Sequence, residues 1–228
     1  MGLSHETALY GRTLRVVSGH RGSADFWDER YRSGAVWSGE ANPQLITEVG
    51  DLEPGTALDV GCGEGADAIW LAKRGWRLTG VDFSGVALER AATHARKHQV
   101  DGRIEWQEAD VLRWSPLVAA YDLVTAQFLH LPADERAAVH RRLAAAVRPG
   151  GTLLIVEHSP RDLSTTARRP HDRGLFTTAA DLAGSLEEDE WDIVVCEARP
   201  RPAIDPAGAV ITVYDEVLRA RLRGSRSQ

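Results

Sequence analysis

The chain has 228 residues, 43% of them hydrophobic and 26% charged, with a net charge of −6. Such a length and composition predict one globular domain with a sizeable core, and the acidic balance argues against nucleic acid or an anionic membrane as the main partner. The two cysteines, Cys62 and Cys196, form no C-x-x-C pair, so neither a metal site nor a disulfide framework is expected; no apolar run approaches the ~20 residues that span a bilayer, the start lacks a signal-like apolar region, and a cytoplasmic location is expected.

Residues 1–23 are polar and glycine-containing and predict a mobile arm ahead of a single domain over 24–228. The stretch 25–31 (D-F-W-D-E-R-Y) predicts a helix that places Trp27 and Tyr31 at i, i+4 on one face. A glycine-flanked hinge carrying Trp37 follows, and then Asn42-Pro43, a helix-start signal for a helix over 44–49. Pro54-Gly55 turns the chain into a strand that ends in A-L-D-V-G-C-G-E-G, residues 57–65. A helix over 66–74 stops at Gly75. Strands are then expected over 77–81, 104–108, 122–126 and 152–156, with helices over 85–98 and 134–147 between them. The sequence Arg148-Pro149-Gly150-Gly151 reads as a sharp break, 161–174 as an irregular basic loop (Arg161, Arg168, Arg169, His171, Arg173) and 178–186 as a short helix. Two last strands over 192–198 and 210–218 are joined by 200–208, which holds three prolines. No repeat or low-complexity tract interrupts this order. It predicts a Rossmann-like, doubly wound α/β sheet of seven strands, mostly parallel with an antiparallel C-terminal strand, and helices on both faces.

In such a sheet the ligand lies beyond the carboxyl ends of the strands. The turn Gly61-x-Gly63-x-x-Ala66, with Asp82 about 20 positions on, fits a dinucleotide fingerprint and by itself would admit a nicotinamide cofactor. Three further acids shift the choice. Asp59 precedes the first glycine, Glu64 sits in the turn, and Asp110 follows the third strand. Added carboxylates repel a pyrophosphate and attract an ammonium group. A ligand with an amino-acid head, a ribose diol and an adenine suits this set, which points to S-adenosyl-L-methionine.

The motifs L-D-V-G-C-G-E-G, V-D-F-S, A-D-V, Y-D-L-V-T-A-Q-F-L-H-L and V-R-P-G-G-T-L-L-I-V resemble those of the class I S-adenosylmethionine-dependent methyltransferases over residues 26–159. F-W-D-E-R-Y with W-S-G-E-A-N-P-Q-L is similar to the thiopurine, thiol and tellurite-resistance methyltransferase group, in which the equivalent helix closes over the cofactor; residues 24–50 would form that lid. The resemblance implies that Gly61 and Gly63 let the backbone approach the methionine portion, Asp59 helps hold its ammonium, and Asp82 takes both ribose hydroxyls. It further implies Phe83 against adenine, Asp110 and the Val111 amide at the adenine amino group, Gln127 along the methionine side, and Trp27, Tyr31 and Trp37 as cover. The resemblance locates no acceptor-site residue in this sequence and assigns no function to the tail after Pro160.

Methyl transfer needs alignment and, for a phenol or a protonated amine, removal of a proton. His130 and His158 fall near the expected site and are the candidates for that work. Simpler readings stand beside these: aromatics at helical spacing as core, Asp110 as a turn cap, histidines as hydrogen-bonded structure, Cys62 as a small apolar residue, and the basic loop as solvated surface. The expected function is methyl transfer to sulfur, oxygen or nitrogen of a small molecule, with a nicotinamide oxidoreductase or a non-catalytic cofactor-binding module as alternatives.

Overall fold

The structure is a computed structural model and describes residues 24–34, 39–167 and 173–224. The arm over 1–23, Trp37 and the loop residues Arg168, Arg169 and His171 lie outside the described residues.

Seven strands form one sheet in the order β3-β2-β1-β4-β5-β7-β6. They are β1 (Thr56–Val60), β2 (Arg77–Asp82), β3 (Ile104–Glu108), β4 (Tyr121–Gln127), β5 (Val147–His158), β6 (Trp191–Ile204) and β7 (Val210–Leu222). β3, β2, β1, β4 and β5 run parallel, and β7 runs antiparallel to both β5 and β6. The order reverses between β1 and β4, which makes their carboxyl ends the switch point of the sheet.

The central strands are apolar on both faces, as parallel strands between helix layers must be. Alternation sends Ala57, Leu123, Leu154, Val156 and Val217 to one core, against α2 (Pro43–Val49), α3 (Ala66–Lys73) and α4 (Gly85–Lys97). It sends Leu58, Val60, Val124, Leu153, Ile155 and Leu218 to the other, against α5 (Ala133–Ala146) and α6 (Ala179–Ala183). α1 (Ala24–Arg32) lies outside both cores and packs on the start of α4.

The helix starts follow local chemistry. The Asn42 side chain accepts from the Gln44 amide at the N-cap of α2, with Pro43 inside it, and Ser84 accepts from the Ala87 amide at the N-cap of α4; each cap contributes about 1 kcal/mol. Thr178 and Asp181 form a reciprocal capping box that starts α6, one position into the stretch expected as helix and ending at Ala183.

Two expectations need correction. The Arg148–Gly151 break lies inside β5: the ladder pairs Tyr121 with Val147 and then Leu123 with Thr152, and Gly150 takes φ +83° to absorb the extra residues. The proline-rich connector is mostly strand, because β6 continues through Pro200 and Pro202 to Ile204, and only residues 205–209 turn. The Asp205 amide donates to the Ala209 carbonyl across that turn. Odd-numbered positions of β6 therefore face β7 there, and both prolines fall on the open side, where the missing N–H costs no ladder bond.

Candidate active site

The glycine turn between β1 and α3 is left-handed at all three glycines, with φ +73° at Gly61, +52° at Gly63 and +83° at Gly65. The Gly61 and Cys62 amides donate to the Val81 carbonyl, 2.8 and 3.0 Å away, which ties the turn to β2. A Cβ at Gly61 would stand 2.8 Å from the Leu129 side chain, so this position accepts glycine for space as well as for φ. Cys62 tucks toward Gly80, and burial, then Asp59 and Asp82, push its thiol well up. It is a packing residue with no thiolate character.

Asp82, 5% exposed, latches the turn: one carboxylate oxygen accepts from the Gly63 amide and the other from the Ser84 amide, each at 2.9 Å. Burial raises its pKa against the pull of those amides. The Ser84 hydroxyl donates to Asp28 of α1 at 2.5 Å, so α1 is anchored at this strand end by a residue that motif reading passed over.

Asp59 is 2% exposed, and its Oδ2 has no hydrogen-bond partner among the described residues. Burial, then Asp67 and Asp82, hold its carboxyl well above the usual range. Asp67, in the first turn of α3, is pushed up to about 6 by burial, opposed by the Asn42 amide that donates to it at 2.7 Å. The Asn42 side-chain amide donates to Gln127 Oε1 at 3.0 Å, and Gln127 donates to Thr125 Oγ1. Register places Asp59 beside Thr125 on one sheet face. Asp59, Asp67, Asn42, Thr125 and Gln127 thus form one polar cluster at the switch point. Asp67 and Asn42 escaped sequence reading; their only signal was an acid in the first helical turn and a cap before Pro43.

Glu64 does not join that cluster as an uncompensated charge, since Arg90 donates to it at 3.0 Å. Asp110 is exposed, accepts from the Leu112 amide at 3.0 Å and caps its own turn. The Val111 carbonyl accepts from Arg142. Phe83 is half-buried beyond Asp82.

The ends of β4 and β5 carry rings. Phe128 stacks on His158 at 4.3 Å between centroids, His158 lies 5.5 Å from His130, and Trp27 of α1 stacks over His130 at 6.4 Å. Trp27 in turn meets Tyr31 at 6.0 Å, and Tyr31 is buried against Ala87. α1 therefore runs from the start of α4 to the histidines. Phe128 itself sits at φ +53°, a conformation rare for an aromatic residue. The two candidate histidines come together; Trp37 cannot be placed.

Among the described residues, no group of three or more His, Cys, Asp or Glu is arranged to hold a metal ion, and no helix is long and apolar enough to cross a membrane. Residues 57–151 match a family model described as a methyltransferase domain. A 27-O-demethylrifamycin SV methyltransferase of Amycolatopsis mediterranei is 31% identical over 205 residues, which cover 85% of this chain and 68% of that protein. Among solved structures, TehB from Haemophilus influenzae superposes with a TM-score of 0.66 at 16% identity, covering 88% of this chain and 67% of that one. The magnesium protoporphyrin IX methyltransferase of Synechocystis PCC 6803, solved with bound SAH, does so with 0.62 at 21%, covering 89% and 95%. With the seven-stranded sheet and its glycine turn at the switch point, these likenesses make the chain a member of the class I S-adenosylmethionine-dependent methyltransferases.

Proposed function

We propose that this enzyme methylates an oxygen, nitrogen or sulfur atom of a small molecule, with the residues of the switch point holding S-adenosyl-L-methionine and the histidine wall receiving the acceptor. The observation that carries the reading is the Asp59–Asp67 pair: a buried acid and a half-buried one beside a glycine turn, the first with an unsatisfied oxygen, and both raised in pKa. Acids left like this are costly to the fold and match a cationic ammonium.

In this reading the cofactor supplies a methyl group already activated on a sulfonium centre, so the chain's task is alignment and exclusion of water. Gly61 and Gly63 let the backbone come close. Asp59 and Asp67 take the ammonium, and Gln127, held by Asn42, lines the same side. Each Asp82 oxygen has a remaining lone pair for a ribose hydroxyl beyond the amide it already accepts. Phe83 packs against adenine, and Asp110 with the Val111 amide meets its amino edge. Trp27 and Tyr31 close the site from α1. His130 and His158 orient the acceptor and receive its proton where the acceptor atom carries one, a task suited to neutral imidazole.

The small-molecule class is supported by the acidic net charge of −6 and by the matched relative, whose name is that of a small-molecule methyltransferase. The same features favour an enzyme that works without nucleic acid or membrane, in the cytoplasm. Isothermal titration tests the cofactor. S-adenosylhomocysteine is expected to bind in the micromolar range and NAD not at all; NAD binding without S-adenosylhomocysteine binding removes the reading.

A further inference from the structure

Glu157 is the one buried acid on β5, 2% exposed, and neither carboxylate oxygen has a hydrogen-bond partner among the described residues. Directly across the ladder stands Glu216 of β7, also buried. The two acids share a sheet face, a pairing that destabilises the fold when both are charged. Glu216 is provided for: it accepts from the Ser159 hydroxyl at 2.5 Å and from the Ala179 amide at 2.8 Å. Glu157 is not. The Leu129 amide and the Arg136 guanidinium lie near enough to favour its charge, yet burial prevails and raises its pKa well above the usual range. Arg136 spends its donors elsewhere, on the carbonyls of Leu131, Gly174 and Phe176.

The position of Glu157 is as telling as its state. It lies one residue before His158, the last residue of β5, so its side chain leaves the other face of the sheet, the one covered by α6, and the Leu129 amide near it belongs to the strained turn Phe128–Leu129–His130. Buried polar groups are almost always satisfied, and an orphan at a functional edge of the sheet signals a partner from outside the chain. A carboxyl oxygen accepts hydrogen bonds, and its most natural partner is an O–H or N–H group.

We infer that Glu157 binds the methyl acceptor through a hydroxyl or amine, so that acceptors carrying such a donor are selected over thiols. The inference rests on the methyltransferase reading of the site above.

The test uses the full chain, labelled S-adenosylmethionine as donor, and catechol, benzylamine and thiophenol as acceptor probes. Titration of the wild-type protein with S-adenosylhomocysteine comes first; no binding there removes the methyltransferase site itself, and this inference with it. Glu157→Gln and Glu157→Leu are expected to bind S-adenosylhomocysteine within about threefold of wild type. Both should melt at or above the wild-type temperature, since an unpaired buried carboxyl has gone. Transfer to catechol or benzylamine is expected to fall about tenfold or more in kcat/KM, chiefly through KM and further in the Leu variant, with thiophenol within about threefold of wild type. Wild-type binding of S-adenosylhomocysteine with no transfer to catechol or benzylamine overturns the inference alone. So do equal effects on all three probes, or a Glu157→Gln variant that melts well below wild type.

Discussion

Two groups of acids, one on each side of the switch point, are treated in opposite ways. Toward β6, Glu48 is matched by Arg199 and Arg219, and Asp215 by Arg201 with Gln44 beside it. Toward β2, Asp59, Asp67 and Asp82 meet backbone amides or nothing at all. The first set joins α2 to the C-terminal hairpin and has its countercharges within the fold. The second has charge to spare. An acid closed by a guanidinium explains architecture; an acid left open at a strand end explains a ligand.

Three perturbations test that contrast. The largest effect is expected for Asp82→Ala, which removes the proposed ribose contact and unlatches Gly63. S-adenosylhomocysteine affinity should fall by about a hundredfold, the cost of two charge-assisted hydrogen bonds. A change under about threefold by titration would take Asp82 out of the site. Next, Arg199→Leu on the paired side leaves Glu48 with Arg219 alone, at 3.6 Å. Urea unfolding should register a loss of about 2 kcal/mol while cofactor affinity stays level; the reverse pattern would erase the distinction between the two sides.

The smallest effect is one of pH. Asp67, raised to about 6, ionises only as pH passes that value, so affinity for a cationic amino-acid head should climb between pH 5 and pH 7 by about fivefold. Asp67→Asn should flatten the climb. Affinity is the proper readout because stability mixes two signs here. The raised Asp67 contributes stability that is full below its unfolded value and is lost as pH rises through about 6. His140, lowered to about 4 by burial and then by Arg136, contributes stability that is present above its unfolded value and is lost as pH falls toward about 4.

Sequence reading reached the glycine turn because that feature is local. Gly61, Gly63 and Asp82 lie within one strand–turn–helix–strand unit, and the φ values and amide contacts follow from it. It placed His130 and His158 near strand ends but could not foresee that Trp27 would stack over one of them, a contact between residues far apart in the chain. Glu157 was invisible for the same reason. Its meaning depends on Glu216, 59 positions later, arriving opposite it in register. Glu64 misled because its partner Arg90 sits on the next helix. The prolines misled because a strand may hold them when its outer side is free, and which strand lies outermost is a property of the finished sheet.

That outer side has a consequence for how the molecule behaves in a crowd. β6 is 14 residues long and borders the sheet, and an open strand of that length is a template on which another chain could add itself. At Pro200 and Pro202 the row of donors such an addition would need is broken, so at those two positions the hairpin offers a visiting strand only carbonyls. The enzyme can extend its sheet by a long ribbon and still refuse to nucleate a fibre there.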